Sequence, residues 1–147
     1  MGEYPEVGSE HREAVMASRF ETIGEFSWTE LLTRDVKGAK EFYGKVLGWE
    51  MEEMPMEGGQ PYTVVKAAGQ GVGGIMSMPD SVPREVPSHW GAYVTVKDVD
   101  ATAEKIKEAG GTIIVPPTDI PRVGRFCTFR DPQGATLSVI AYAMKPM

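Results

Sequence analysis

The chain has 147 residues, of which 41% are hydrophobic and 24% are charged, and its formal net charge is -6. This composition is that of an ordinary globular domain and excludes fibrous and largely disordered classes. The basic residues are scattered and no stretch approaches the ~18 apolar residues of a membrane helix, so we expect neither nucleic-acid nor membrane binding. The single cysteine, Cys127, cannot form an internal disulfide, and we therefore expect a cytoplasmic protein.

Residues 1–24 form an acidic N-terminal extension, with five glutamates against two arginines. A short helix over about residues 10–19, with Ser9 as its N-cap, fits the pattern, although so short a helix is marginal without packing. We assign residues 25–147 to one domain.

The first half of this domain, residues 26–78, predicts the order βαβββ. The segment FSWTELLT alternates as a strand. Asp35 is placed to cap a helix that Gly48 ends. Three further strands follow, GWEMEEM, YTVVKAA and GGIMSM, separated by the turns EGGQ and AGQG, and the run GQGVGG is interpreted as turns.

The second half, residues 89–143, repeats this order after a proline-containing linker over 79–88. A strand WGAYVTV precedes a helix capped by Asp98 or Asp100, and the strands TIIVP, RFCTFR and ATLSVIAYA follow, with PPTDIP as a loop and DPQG as a turn. The sequence therefore predicts an α+β fold in which tandem βαβββ modules form a curved mixed sheet around a concave ligand cavity.

Four motifs resemble those of the vicinal oxygen chelate superfamily, which includes glyoxalase I, bleomycin resistance proteins, extradiol dioxygenases and methylmalonyl-CoA epimerase. They are D-x-x-x-A-x-x-F-Y-x-x-V-L-G-W over 35–49, V-x-D-V-D-A over 96–101, A-G-G over 109–111 and D-P-x-G over 131–134. The resemblance covers about residues 26–143 and implies a glyoxalase-like fold. Because this fold hosts several reactions and metal-free binding proteins, the site must decide the function.

In metal-dependent members of that superfamily, His, Gln or Glu side chains on four strands hold the ion. The resemblance places three of these positions at Trp28, Gly91 and Ser138 and the other in the strand GGIMSM, which has no Asp, Glu, His or Cys. None is an ordinary transition-metal ligand, so we expect no cofactor. A divalent ion would have to use Glu30 and His89, which is fewer than the three protein ligands of a working zinc site.

Glu30 is the candidate catalytic residue. A carboxylate inside an apolar strand is costly to bury without a partner, and one that faces a cavity is a candidate general base or ligand-orienting group. The alternative is a structural salt bridge with Arg122 or Arg125.

Strand parity and side-chain chemistry indicate the candidate ligand-binding residues. Trp28 and Tyr93 share the strand faces of the positions that the resemblance assigns to the metal, which favours an apolar pocket over the alternative of plain core. An arginine at a strand entrance suits an anionic ligand, and a hydroxyl suits a hydrogen bond. The full set is Trp28, Glu30, Tyr62, Met76, Tyr93, Arg125 and Ser138.

These features lead to three hypotheses. The first is a metal-free small-molecule-binding protein of the glyoxalase and bleomycin-resistance type, which sequesters its ligand or performs simple acid–base chemistry. The second is a divalent-metal lyase, epimerase or dioxygenase with unconventional ligands, Glu30 and His89 among them. The third is a non-catalytic interaction module that docks through its acidic extension. Exposed sheet edges and apolar faces predict a homodimer in all three.

Overall fold

A computed structural model describes residues 19–56 and 61–143. These residues form two compact units, unit I over 28–93 and unit II over 19–27 with 94–143. The helix expected over about 10–19 lies outside the described residues except for its last residue, and the turn EGGQ over 57–60 lies outside them entirely.

Unit I contains one helix and, in whole or in large part, five strands in the predicted order. They are β1 (Phe26–Thr33), α1 (Val36–Leu47), β2 (Glu50–Met54), β3 (Tyr62–Ala67), β4 (Gln70–Ser77) and β5 (His89–Thr95).

Helix α1 begins and ends where its capping residues predict. The Asp35 carboxylate accepts a hydrogen bond of 2.9 Å from the Gly38 N–H, which satisfies one of the free donors of the first turn. Gly48 is left-handed, with φ of 70°, and its N–H bonds the Gly44 carbonyl at 3.0 Å. The predicted helix is therefore confirmed at both ends.

The strand order in unit I is β2-β3-β4-β1-β5. Strands β1 and β4 are parallel, whereas β2–β3 and β3–β4 are antiparallel, so the sheet is mixed. Leu31 lies opposite Ile75 in the β1–β4 register, and both pack with Val65 into a core that helix α1 covers. Since strand side chains alternate between faces, Glu30 lies on the face opposite this core.

The glycine-rich run GQGVGG, which we interpreted from the sequence as turns, lies mostly inside strand β4. Only Ala68 and Gly69, with φ of 50° and 77°, form the two-residue hairpin between β3 and β4. The interpretation of GQGVGG as turns was therefore wrong, because β4 already begins at Gln70 and tolerates glycine at close contacts with its neighbours.

Unit II contains helix α2 (Val99–Glu108) and strands β6 (Thr112–Ile120), β7 (Gly124–Arg130) and β8 (Thr136–Tyr142). Of the two candidate caps, Asp98 is the one used, since its carboxylate accepts the Ala101 N–H at 3.0 Å. The predicted DPQG turn is present, closed by a 3.0 Å bond from the Gly134 N–H to the Asp131 carbonyl. Both units combine a helix with neighbouring strands, which confirms the α+β class.

Strand β6 extends through the segment that the sequence interpreted as the loop PPTDIP. Thr118 and Asp119 pair with Phe126 and Arg125 of β7, and the β6–β7 register shifts twice before reaching them. Strand β6 is last in the strand order, and prolines are tolerated at such edges and at bulges. The loop prediction was therefore wrong at this point.

Among the described residues, no helix is long and apolar enough to cross a membrane.

Candidate functional site

Glu30 is the centre of a buried polar cluster in unit I. The residue is only 9% exposed, and both of its carboxyl oxygens accept hydrogen bonds from tyrosines. The Tyr62 hydroxyl donates to Oε2 at 2.7 Å, and the Tyr93 hydroxyl donates to Oε1 at 3.1 Å. Three strands, β1, β3 and β5, thus bring their side chains to one carboxyl group.

Trp28 fixes the direction of this hydrogen-bond chain. Its indole Nε1–H donates to the Tyr62 hydroxyl oxygen at 2.9 Å. An indole N–H only donates, so the Tyr62 oxygen must accept this bond and direct its own proton at Glu30. Glu30 is therefore the acceptor at the end of the chain from Trp28 through Tyr62.

Burial dominates the electrostatics of the cluster. Removal from water raises the pKa of Glu30, and the hydrogen bonds from Tyr62 and then Tyr93 offset part of this effect because they favour the charged form. Burial and the neighbouring Glu30 charge raise the pKa of Tyr62 well above its ordinary range. Tyr62 therefore stays a protonated donor, while the carboxyl holds its proton more tightly than an exposed glutamate does.

The partners of Glu30 are neutral, which differs from one of the expected arrangements. Among the described residues, no ion pair involves Glu30. Arg125, one of the two expected salt-bridge partners, instead binds Asp100 through Nε at 2.9 Å and Asp119 through Nη1 at 3.0 Å. Arg125 is therefore paired within unit II, and the alternative of a salt bridge between Glu30 and Arg125 has no support among the described residues.

The other candidate residues have the following surroundings. Met76 lies opposite Leu32 in the β1–β4 register, on the same sheet face as Glu30, and is half-buried. Ser138 belongs to unit II, where its buried hydroxyl bonds Thr128 at 2.7 Å. The structure thus gathers Trp28, Glu30, Tyr62 and Tyr93 into one cluster, while Arg125 and Ser138 have partners of their own in unit II.

The side chains at the expected metal positions do not fit a divalent ion. Trp28 offers a bound N–H donor, and the Ser138 hydroxyl is engaged with Thr128. His89 is not a partner of Glu30, and its Nδ1 lies 2.8 Å from the Pro87 carbonyl. Within residues 19–56 and 61–143, no three His, Cys, Asp or Glu side chains are grouped as metal ligands. A transition metal prefers three or more such donors, so the described site does not suit one.

Sequence reasoning missed Gly74, which lies directly opposite Glu30 in the β1–β4 register. The Tyr62 side chain passes over this glycine on its way from β3 to Glu30. The available signal was the Gly-Gly pair inside an otherwise apolar strand, since such a glycine often marks a close approach of another group.

A groove of about 460 Å³ lies in unit II between α2 and β6. None of the candidate site residues lines it. Its lining residues are Asp100, Ala101, Ala103, Glu104, Lys107, Ile113, Pro116 and Pro117.

The family model of the Glyoxalase/Bleomycin resistance protein/Dioxygenase superfamily matches residues 25–139. A mycobacterial protein named "Putative glyoxylase CFP32", from Mycobacterium tuberculosis, is 47% identical over 117 residues, which are 80% of this chain and 44% of that protein. The anthracycline biosynthesis protein DnrV of Streptomyces peucetius is 28% identical over 124 residues, covering 77% of this chain and 45% of its own length. The chain thus spans less than half the length of these relatives.

Solved structures agree on the fold. Hypothetical protein BH1468 from Bacillus halodurans C-125 superposes with a TM-score of 0.61 at 13% identity, covering 86% of this chain and 99% of that one. Methylmalonyl-CoA epimerase from Mycobacterium tuberculosis gives a TM-score of 0.58 at 15% identity, covering 81% and 90%. These matches confirm the glyoxalase-like fold that the motifs predicted.

Proposed function

Because the chain belongs to the glyoxalase, bleomycin resistance protein and dioxygenase superfamily, we propose that it binds a small organic molecule beside Glu30 and exchanges a proton with it. The observation that carries this proposal is a buried carboxyl whose two hydrogen-bond donors are both neutral tyrosines. A structural glutamate is usually neutralised by a cation, whereas this one keeps the ability to take up or release a proton.

The raised pKa of Glu30 suits general acid–base chemistry. Such a group works best when its pKa lies close to the pH at which the protein operates. Tyr62 and Tyr93 hold both carboxyl oxygens in place, so the group is oriented before a ligand arrives. A carboxylate has about four acceptor positions, and two remain for a proton or a ligand after the tyrosines have bound.

The aromatic side chains serve as the binding surface in this proposal. The Trp28 N–H is bound to Tyr62, which leaves the faces of its ring for apolar or stacking contact. Met76 adds a flexible apolar contact on the same sheet face. The name of the mycobacterial relative, a glyoxylase, agrees with an enzymatic role for the chain.

The proposed chemistry uses no divalent ion, since the described donor set does not suit one. Elemental analysis of protein purified without chelators tests this part directly. We expect well under one divalent ion per chain. One tightly held ion per chain, lost in Glu30→Gln, would overturn the metal-free assignment and support the metal-dependent alternative.

Ligand binding is tested by a thermal-shift screen with a library of small metabolites on the unmodified chain, Glu30→Gln and Glu53→Gln. Glu53 is a matched control because it is an exposed glutamate of the same unit, paired with Lys40 at 2.8 Å. We expect compounds that stabilise the chain by mass action to lose this effect in Glu30→Gln and keep it in Glu53→Gln.

Proton exchange is then measured for each compound that binds. Incubation in D₂O, followed by proton NMR, reports the loss of a carbon-bound hydrogen of the ligand. We expect exchange with the unmodified chain and none with Glu30→Gln. Compounds that bind and exchange equally with both proteins would overturn the proposal.

A further inference from the structure

We infer that Gly74 is a positioning residue for the Glu30 site, because the lack of a side chain there is what lets Tyr62 reach Glu30 across strand β4. This inference rests on the proposed function for its significance. Its geometry and its test do not depend on any ligand.

The strand register shows why a bridge across β4 is needed. Strand β4 lies between β1 and β3, so Glu30 of β1 and Tyr62 of β3 are not on adjacent strands. Gly74 lies opposite Glu30 on one side and opposite Val64 on the other. Tyr62 is two residues from Val64 on β3 and therefore shares its sheet face. Its side chain runs diagonally over the row that contains Gly74.

The space above Gly74 is occupied by the Tyr62 ring. A Cβ added at residue 74 would overlap the Tyr62 hydroxyl oxygen and the ring carbon that carries it, and would lie 2.8 Å from Cε1. These three are the nearest atoms to that position. No side chain larger than hydrogen fits there while the 2.7 Å bond from Tyr62 to Glu30 is present.

The backbone conformation at position 74 does not require glycine. Gly74 is not among the residues with positive φ, so other residues are able to adopt its backbone geometry. The requirement is therefore the space that the Tyr62 ring occupies. The neighbouring Gly73 differs, because a Cβ there would lie 2.7 Å from the backbone carbonyl oxygen of Thr29.

The first measurement compares Gly74→Ala with Gly91→Ala. Gly91 lies on β5 of the same unit, has no positive φ, and has nothing within 4 Å of an added Cβ. We expect Gly74→Ala to lower the melting midpoint by roughly 5–10 °C, as overpacking does in a domain of this size. Gly91→Ala should leave the midpoint unchanged or raise it slightly.

The second measurement is a double-mutant cycle at position 62. We expect Tyr62→Ala to remove most of the effect of Gly74→Ala, because it removes the ring. Tyr62→Phe should not, because phenylalanine keeps the ring carbons. The effect of Gly73→Ala should persist in the Tyr62→Ala background, since it arises from the Thr29 backbone. Equal effects of Gly74→Ala with and without the Tyr62 ring would overturn the inference.

The third measurement follows the Glu30 carboxyl itself by carbon NMR titration, with Glu30→Gln to assign the signal. The Tyr62 bond favours the charged carboxylate, so its loss should raise the pKa of Glu30. We expect Gly74→Ala and Tyr62→Phe to raise it by similar amounts and Gly91→Ala to leave it unchanged. A Glu30 titration unaltered by Gly74→Ala would contradict the positioning role.

If Gly74→Ala does not fold, the double variant still decides the question. Folding of Tyr62→Ala/Gly74→Ala would support the inference. Failure of that double variant, with Tyr62→Ala alone folding, would overturn it.

Discussion

Replacing Tyr62 by phenylalanine removes one oxygen atom and two hydrogen bonds from the Glu30 site. One of these bonds goes to the carboxylate at 2.7 Å, and the other comes from the Trp28 indole at 2.9 Å. A hydrogen bond to a charged group contributes about 1.5–3 kcal/mol and a neutral one about 0.5–1.5 kcal/mol. We therefore expect Tyr62→Phe to lower the free energy of unfolding by about 2–4 kcal/mol when Glu30 is ionised.

Urea denaturation checks this value, with Tyr43→Phe as the matched control. Tyr43 belongs to the same unit and its hydroxyl also accepts an indole N–H, that of Trp90 at 3.1 Å. Removal of the Tyr43 hydroxyl should lower the free energy of unfolding by about 0.5–1.5 kcal/mol.

The carboxylate contribution is isolated by repeating Tyr62→Phe in the Glu30→Gln background. An amide accepts only a neutral hydrogen bond, so the effect of Tyr62→Phe should shrink by about 1 kcal/mol or more. The reasoning would be refuted if Tyr62→Phe cost no more than Tyr43→Phe. It would equally be refuted if Tyr62→Phe cost the same in the Glu30→Gln background as in the unmodified chain.

Three further predictions concern pH, capping and thiol reactivity. Because burial raises the pKa of Glu30, the folded state binds the proton of this carboxyl more tightly than the unfolded state does. Protonation of Glu30 therefore stabilises the fold below the ordinary glutamate pKa, and this stabilisation is lost as pH rises through the pKa of the folded state. The melting midpoint of Glu30→Gln minus that of the unmodified chain should therefore increase as pH rises from 4 to 8, and a decrease in this difference would contradict the reasoning. Asp98→Ala removes the 3.0 Å bond to the Ala101 N–H and should lower the free energy of unfolding in urea by about 1 kcal/mol, whereas Lys97→Ala at the exposed neighbouring position should change it by less than about 0.5 kcal/mol. Burial raises the pKa of the fully buried Cys127 thiol, so iodoacetamide should modify it roughly a hundredfold more slowly in the folded chain than in urea, and equal rates would show that it is accessible.

Local signals in the sequence were sufficient to predict the helices. Asp35 and Gly48 bracket α1 as an N-cap and a left-handed terminus, each acting on backbone groups a few residues away. The choice between Asp98 and Asp100 at α2 stayed open, because both lie within one turn of the helix start. The structure resolves it through the Arg125 side chain, which binds Asp100 from a strand that is distant in sequence.

The two wrong predictions, GQGVGG as turns and PPTDIP as a loop, have a common physical cause. Glycine and proline favour turns in isolation, but both also occur within strands where the neighbouring strands accommodate them. In Gln70–Ser77, glycines permit close approach of neighbouring strands and side chains, although the same residues favour turns when read alone. In β6, the prolines are accommodated by an outermost strand with shifted register. Both outcomes depend on which strands lie beside the segment, and that information is absent from local sequence.

The candidate site was likewise predictable where local sequence signals suffice and unpredictable where neighbouring strands decide. The high cost of burying a charge was enough to single out Glu30. Strand parity was enough to place Trp28 on the same sheet face as Glu30 and to select Tyr93 on its own strand. Neither argument identifies the donors that reach the carboxyl, because the link from Tyr62 passes over an intervening strand. A sequence argument therefore supplied a charged partner, arginine, where the fold supplies neutral hydroxyls.

That difference determines the chemistry of the site. A guanidinium beside Glu30 would lower its pKa and keep the carboxylate permanently charged at neutral pH. Two phenols stabilise the carboxylate less than a cation does, so desolvation remains the largest influence and the pKa rises. The carboxyl then lies closer to its own titration point under physiological conditions, which is the property that an acid–base group requires. A glycine in the middle of β4 thereby bears on the proton affinity of Glu30 on the next strand, because it leaves room for a neutral donor to reach that carboxyl.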